Sequence, residues 1–138
     1  MSSTSPRLYF ENGVGGLYGH PDSYAIIRFN AGKRKLSELQ VLLTQVRQLL
    51  ELNRWHRFLA DQRLLVPFTP EEVAWIVGHW RDTAAQHPKG LYGAVVMAHN
   101  VFTRLAMGQI VQAANSAVMH FRRFETEAEA TAWLEEIG

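Results

Sequence analysis

From position 23 onward, short β-rich runs alternate with amphipathic segments, and each amphipathic segment opens on a readable helix-start signal, four times in succession. A strand, a helix and a further strand in that order build parallel strand pairs through crossover connections, so the alternation restricts the chain to the α/β class. The clearest start is Thr69-Pro70-Glu71-Glu72: a capping threonine, proline at the first helical position and a glutamate closing the capping box. Phe68 and Val73 flank it as a hydrophobic staple, and Val73, Ile76, Val77 and Trp80 form the inward stripe. Ser37 and Gln40 have the same box spacing between Leu36 and Val41, ahead of Leu39, Leu43, Val46 and Leu50. Asn100 precedes a helix whose inward set reads as Phe102, Leu105, Ala106, Ile110 and Ala113; Thr126 and Glu129 open the last helix.

The β-type runs are residues 7–12, 23–30, 57–61, 91–98 and 118–124. Asn12-Gly13 marks a turn, and Gly15, Gly16, Gly19 and Pro21 read as an irregular connection. The expected order is therefore ββαβαβαβα: a largely parallel five-stranded sheet in one domain over residues 7–138, behind a disordered tail at 1–6. Ligands of such sheets gather at the carboxyl ends of the strands. That rule singles out Asp61, Arg63, His99 and Asn100.

Composition narrows the chemistry. The chain has no cysteine, which removes disulfide scaffolds, thiolate metal sites and thiol catalysis. A net charge of +1 divides into +4 over residues 1–65 (9 basic, 5 acidic) and −3 over the remainder (5 basic, 8 acidic), a weak dipole and no nucleic-acid footprint. The basic clusters Lys33-Arg34-Lys35 and Arg54, His56, Arg57 read as solvated charge at helix ends, with a phosphate-binding surface as the less favoured alternative. No secretory signal or membrane span is apparent, and the expected location is the cytoplasm.

The order of elements, together with FLADQRLLVPFTPEEVAWI (58–76), AVVMAHNVFTRLA (94–106) and FETEAEATAWL (124–134), resembles the STAS or SpoIIAA-like family, and within it the bacterial single-domain STAS/SEC14-type proteins. The resemblance implies a non-enzymatic module without cofactor, whose partner is a protein or a second copy of itself. Family members that antagonise anti-sigma factors are switched by phosphorylation of a serine in an Asp-Ser-Gly motif after the third strand. Here that stretch is Asp61-Gln62-Arg63, so the resemblance implies no phospho-switch. A SEC14-like role, holding a small apolar or amphipathic molecule, is the alternative.

Catalysis by His99 oriented by Asp61 is the enzymatic alternative, with no evident nucleophile. His79 and His87, eight apart on one helix, lack the spacing of a helical zinc pair, and no metal is expected. The Gly13–Gly16 run precedes a strand and not a helix, which excludes a phosphate loop. His20, Asp22 and Ser23 are contiguous turn residues and not a triad. Trp75 and Trp80 cannot share a narrow helix stripe, so Trp75 is either second-side core or a contact surface. An apolar pocket, if present, is expected between helix and sheet near Trp80, Met97, Phe102 and Met107.

Overall fold

The computed structural model describes residues 5–138. Of the expected tail at 1–6, positions 1–4 lie outside the described residues; Ser5 and Pro6 are exposed. Ten elements follow: β1 (Arg7–Glu11), β2 (Gly15–His20), β3 (Tyr24–Phe29), α1 (Leu36–Asn53), β4 (Arg57–Asp61), α2 (Pro70–Ala85), β5 (Leu91–Val96), α3 (Val101–Ala114), β6 (Met119–Phe124) and α4 (Glu127–Ile137). The sheet runs β1-β2-β3-β4-β5-β6, antiparallel over the first two pairings and parallel over the last three. Its α/β, mostly parallel character agrees with the alternation in the sequence.

The sheet has six strands and not five. The segment read as irregular is β2, whose three glycines mask a strand; its Leu17 and Tyr18 join the cores on opposite faces of the sheet. Gly15 has no room for a Cβ against the carbonyl of Arg28, and Gly19 lies beneath the Trp55 ring, which would stand 3.2 Å from a Cβ there. A second difference is the start of α1. Its N-cap is Lys35, whose carbonyl receives the amides of Glu38 and Leu39; Ser37 falls inside the first turn without capping, and Val41 is exposed instead of stapled. In α2 the box forms as expected, with Thr69 and Glu72 exchanging side-chain and backbone bonds.

Successive crossovers in one direction place α1, α2 and α3 on one face of the sheet, while α4 returns across the other. Period-two alternation divides the strands between these layers. Phe58 and Ala60 face the three-helix side, and Leu59 faces α4 with Tyr24, Ile26, Ala94 and Val96. Arg57, on the α4 side, is buried without a carboxylate. Its guanidinium donates to the carbonyls of Leu134, Asp22 and Ser23 and lies over the Tyr24 ring, tying the end of α4 to the β2–β3 turn. Arg57 thus departs from the solvated charge expected of its cluster, and so does Arg34, whose buried side chain pairs with Glu72.

On the three-helix side, Phe58 is stacked on Trp80 at 4.4 Å and meets Phe121 edge-on at 5.9 Å. The opposite strand supplies Gly93, because a Cβ there would collide with the Phe58 ring. With Trp80 and Phe121 behind it, the ring has nowhere to retreat. Gly93→Ala should therefore lower stability by about 1–3 kcal/mol, read as a reduced urea midpoint at unchanged m-value.

The outer edge of β6 is closed by side chains. Asn115 accepts the Phe121 amide at 2.8 Å and donates to the Phe121 carbonyl at 3.5 Å, imitating one residue of a neighbouring strand. Ser116 does the same for Met119 through its hydroxyl and its own amide.

Candidate functional site

The carboxyl ends of the parallel strands carry two features side by side. The first is a charge cluster. Asp61 ends β4 with its carboxylate nearly buried, accepting from Arg63 Nε and Nη2 at 2.9 Å each, from the Arg63 amide at 3.2 Å and from Arg28 Nη1 at 3.0 Å. Arg28 also grips Glu127 in a two-point contact at 2.7 and 3.2 Å. Two arginines and two carboxylates thus neutralise one another across β3, β4 and the start of α4. Burial pushes the Asp61 pKa up, but the hydrogen bonds of Arg63 and Arg28 outweigh it and hold the carboxyl below its usual range. The Glu127 bond in turn raises Arg28, and the Asp61 bond raises Arg63.

Asp61 and Arg63 therefore meet, as their position suggested, but as an ion pair. His99 is exposed and joins the cluster only through its backbone amide, which donates to the Arg63 carbonyl at 3.1 Å; among the described residues its ring makes no hydrogen bond to Asp61. Asn100 caps α3, accepting the amides of Phe102 and Thr103. Every oxygen of Asp61 is committed to a permanent cation, which leaves it unsuited to proton transfer.

The second feature is apolar. Leu64 is 57% exposed, Val101 59%, Phe102 66% and Leu105 63%. The bond from the His99 amide to Arg63, and that from Thr103 Oγ1 to the Leu65 carbonyl at 2.9 Å, bring the β4–α2 loop against the first turn of α3, so these side chains share one rim. The inward set expected for α3 is thereby corrected: Thr103, Met107, Ile110 and Ala114 are buried, and Phe102 and Leu105 point outward. Beside this rim, Met97, Val101 and Leu105 line a groove of about 610 Å³ with Arg104, Arg122 and Arg123. Arg104 pairs with Glu125 at 3.0 Å, and Arg122 lies over the Phe124 ring.

The layer expected to hold an apolar pocket contains Trp80 and Met107, but neither Met97 nor Phe102. Its cavity measures about 20 Å³, room for a single water and not for an organic ligand. Gln62 fills the end of that layer, its amide donating to the Met107 sulfur at 3.4 Å. Trp75 is half-buried and stacked on His79 at 5.0 Å. The rings of His20 and Tyr24 stack at 4.4 Å in the turn, where His20 Nδ1 accepts the Asp22 amide.

Arg28 and Glu127 were not among the residues singled out from the sequence. Only their 99-residue separation across the sheet reveals them, although Glu127 in the first turn of a capped helix is a local hint. Among the described residues no helix is long and apolar enough to cross a membrane. No family model matches the chain, and no curated protein matches it by sequence. By shape the chain is similar to the NMR structure of the protein TM1081, with a TM-score of 0.63 over 98% of each chain at 12% identity, a likeness of fold alone.

Proposed function

We propose that this chain is a STAS-like protein-interaction module that lacks the phosphoserine switch and docks its partner on the rim at the carboxyl ends of the strands. The observation that carries this reading is the exposure of Leu64, Val101, Phe102 and Leu105 together, beside an ion cluster whose charges are already satisfied. Large apolar side chains grouped at one end mark contact surfaces more than chemistry. Arg122 and Arg123 along the adjoining groove, which make no ion pair among the described residues, specify the partner: a protein segment presenting an apolar stripe bordered by carboxylates.

A photo-crosslinking residue at position 102, used in cells, tests this. The expected result is one acidic partner that rebinds as purified protein and binds about tenfold more weakly to Phe102→Ser/Leu105→Ser. Because both side chains are exposed, the double variant should keep its stability within about 0.5 kcal/mol per site. A partner that binds the double variant equally well, a crosslink only between copies of this chain, or no crosslinked protein would each overturn the proposal.

A further inference from the structure

At the opposite end of the sheet a cleft of about 750 Å³ runs beneath the amino ends of β4 and β5. Arg54, His56, His87 and Lys89 line it; its one carboxylate side chain, Glu51, is held by Arg47 at 3.1 Å. The ends of α1 and α2 do not consume this charge. The amides of Arg54 and Trp55 close α1 on the Glu51 and Leu50 carbonyls, and those of Gln86 and His87 close α2 on Thr83 and Ala84. Among the described residues, the side chains of Arg54 and Lys89 make no hydrogen bond or ion pair.

Arg54 also holds a left-handed backbone, φ 56°, where glycine or asparagine ordinarily ends a helix. A bulky cation thus stands at a position that local conformation disfavours. His87 Nδ1 lies 2.9 Å from the Thr83 carbonyl, which can only accept, so Nδ1 carries a proton. The facing wall is apolar: Leu50, Ile137 and the Tyr92 ring, which is stacked on His120 at 4.7 Å and lies edge-on to His56 at 6.1 Å.

We infer that this cleft binds a small phosphate monoester, its oxyanion held by Arg54 and Lys89 and its organic part laid against Tyr92. Two permanent cations match the charge of a dianion with several acceptor oxygens, where a carboxylate would use half of their donors. The site is independent of the rim, from which it is separated by the length of the sheet.

Titration of ¹⁵N-labelled protein with phenyl phosphate tests the inference. Saturable shifts are expected at His56, Gly90 and Tyr92, with binding weakened about tenfold or more in Arg54→Asn/Lys89→Gln. Asparagine suits the left-handed position, so an unchanged thermal midpoint is expected to confirm that the double variant folds. Benzoate should bind about tenfold more weakly than phenyl phosphate. Co-sedimentation with phosphatidylcholine vesicles containing phosphatidic acid, abolished by the same double variant, would place the ester in a lipid headgroup; binding of phenyl phosphate without vesicle binding would place it in a soluble molecule. Absence of saturable shifts in the cleft, equal affinity in the double variant, or benzoate binding as tightly as phenyl phosphate would overturn it.

Discussion

Replacing Arg34 with alanine should lower the stability by about 3–5 kcal/mol, the range for breaking a buried ion pair from one side. The side chains of Arg34 and Glu72 are only 5% and 6% exposed, and they meet through two bonds, Nε to Oε2 at 2.7 Å and Nη2 to Oε1 at 2.9 Å. The guanidinium also donates to the carbonyls of Val66 and Pro67 and lies 4.8 Å from the Phe68 ring centre. It therefore pins the whole approach to α2, while Glu72 simultaneously accepts the Thr69 amide in the capping box. Losing Arg34 strands a carboxylate in the interior and frees two backbone carbonyls as well. Glu72→Ala should cost a similar amount, because it leaves the arginine unpaired. The pair Arg34→Met/Glu72→Leu should lose much less than the sum, since no buried charge remains. Arg47→Ala, which removes an exposed pair with Glu51, should stay within about 0.5 kcal/mol. Equilibrium urea unfolding of the four variants separates these outcomes; a loss below about 1 kcal/mol for Arg34→Ala would show that the pair contributes little.

The second large effect depends on pH. His79 is buried between Trp75 and Trp80, and among the described residues its Nε2 has no hydrogen-bond partner. Burial, aided by the positive charge of Arg47 and opposed by Asp82, pulls its pKa down to about 4 from the ordinary 6.5. In the unfolded chain the ring titrates near 6.5, so between the two values the unfolded state binds the extra proton and folding is penalised. Stability from this group is complete above about pH 6.5 and is lost as pH falls toward 4. A gap of about 2.5 pH units at ~1.4 kcal/mol each makes the loss about 3 kcal/mol. His79→Phe preserves the ring stack and removes the titration. The stability difference between wild type and variant should therefore open by about 3 kcal/mol between pH 7 and pH 4, in the variant's favour. Because the carboxylates titrate in both proteins, the difference isolates the histidine. A difference that stays constant over this window would refute the assignment.

What was legible in the sequence was local. The α2 box spans four residues, Thr69 to Glu72, and each partner's role is set by its spacing, so its position could be read directly. The Asp61–Arg63 pair is equally local. Arg34 was misread because it sits between two lysines, while the carboxylate that buries it lies 38 residues away. For α3, apolar residues surround the helix, and periodicity alone does not select a face. Its rotation is set by bonds to another loop, Thr103 to Leu65 and Gln62 to Met107, which carry no periodic trace. β2 was hidden for the opposite reason: the close approach of Arg28 requires glycine, the residue that ordinarily argues against a strand. Of the basic cleft, Arg54 and His56 stand out in the sequence as a cluster, with phosphate binding as the less favoured reading; His87 and Lys89 join them only in the fold, because the cleft draws on two helix ends and two strand beginnings.

Asn115 and Ser116 occupy the outward backbone groups of Met119 and Phe121, and among the described residues β1 is the sheet edge with the longer unpaired run of backbone. A sheet with two open edges can add copies without limit; a sheet with one can add a single copy, edge to edge, and then has nothing left to offer. Asn115 and Ser116 thus blunt the first half of the β6 edge against a further strand, so that backbone pairing between copies is directed to β1.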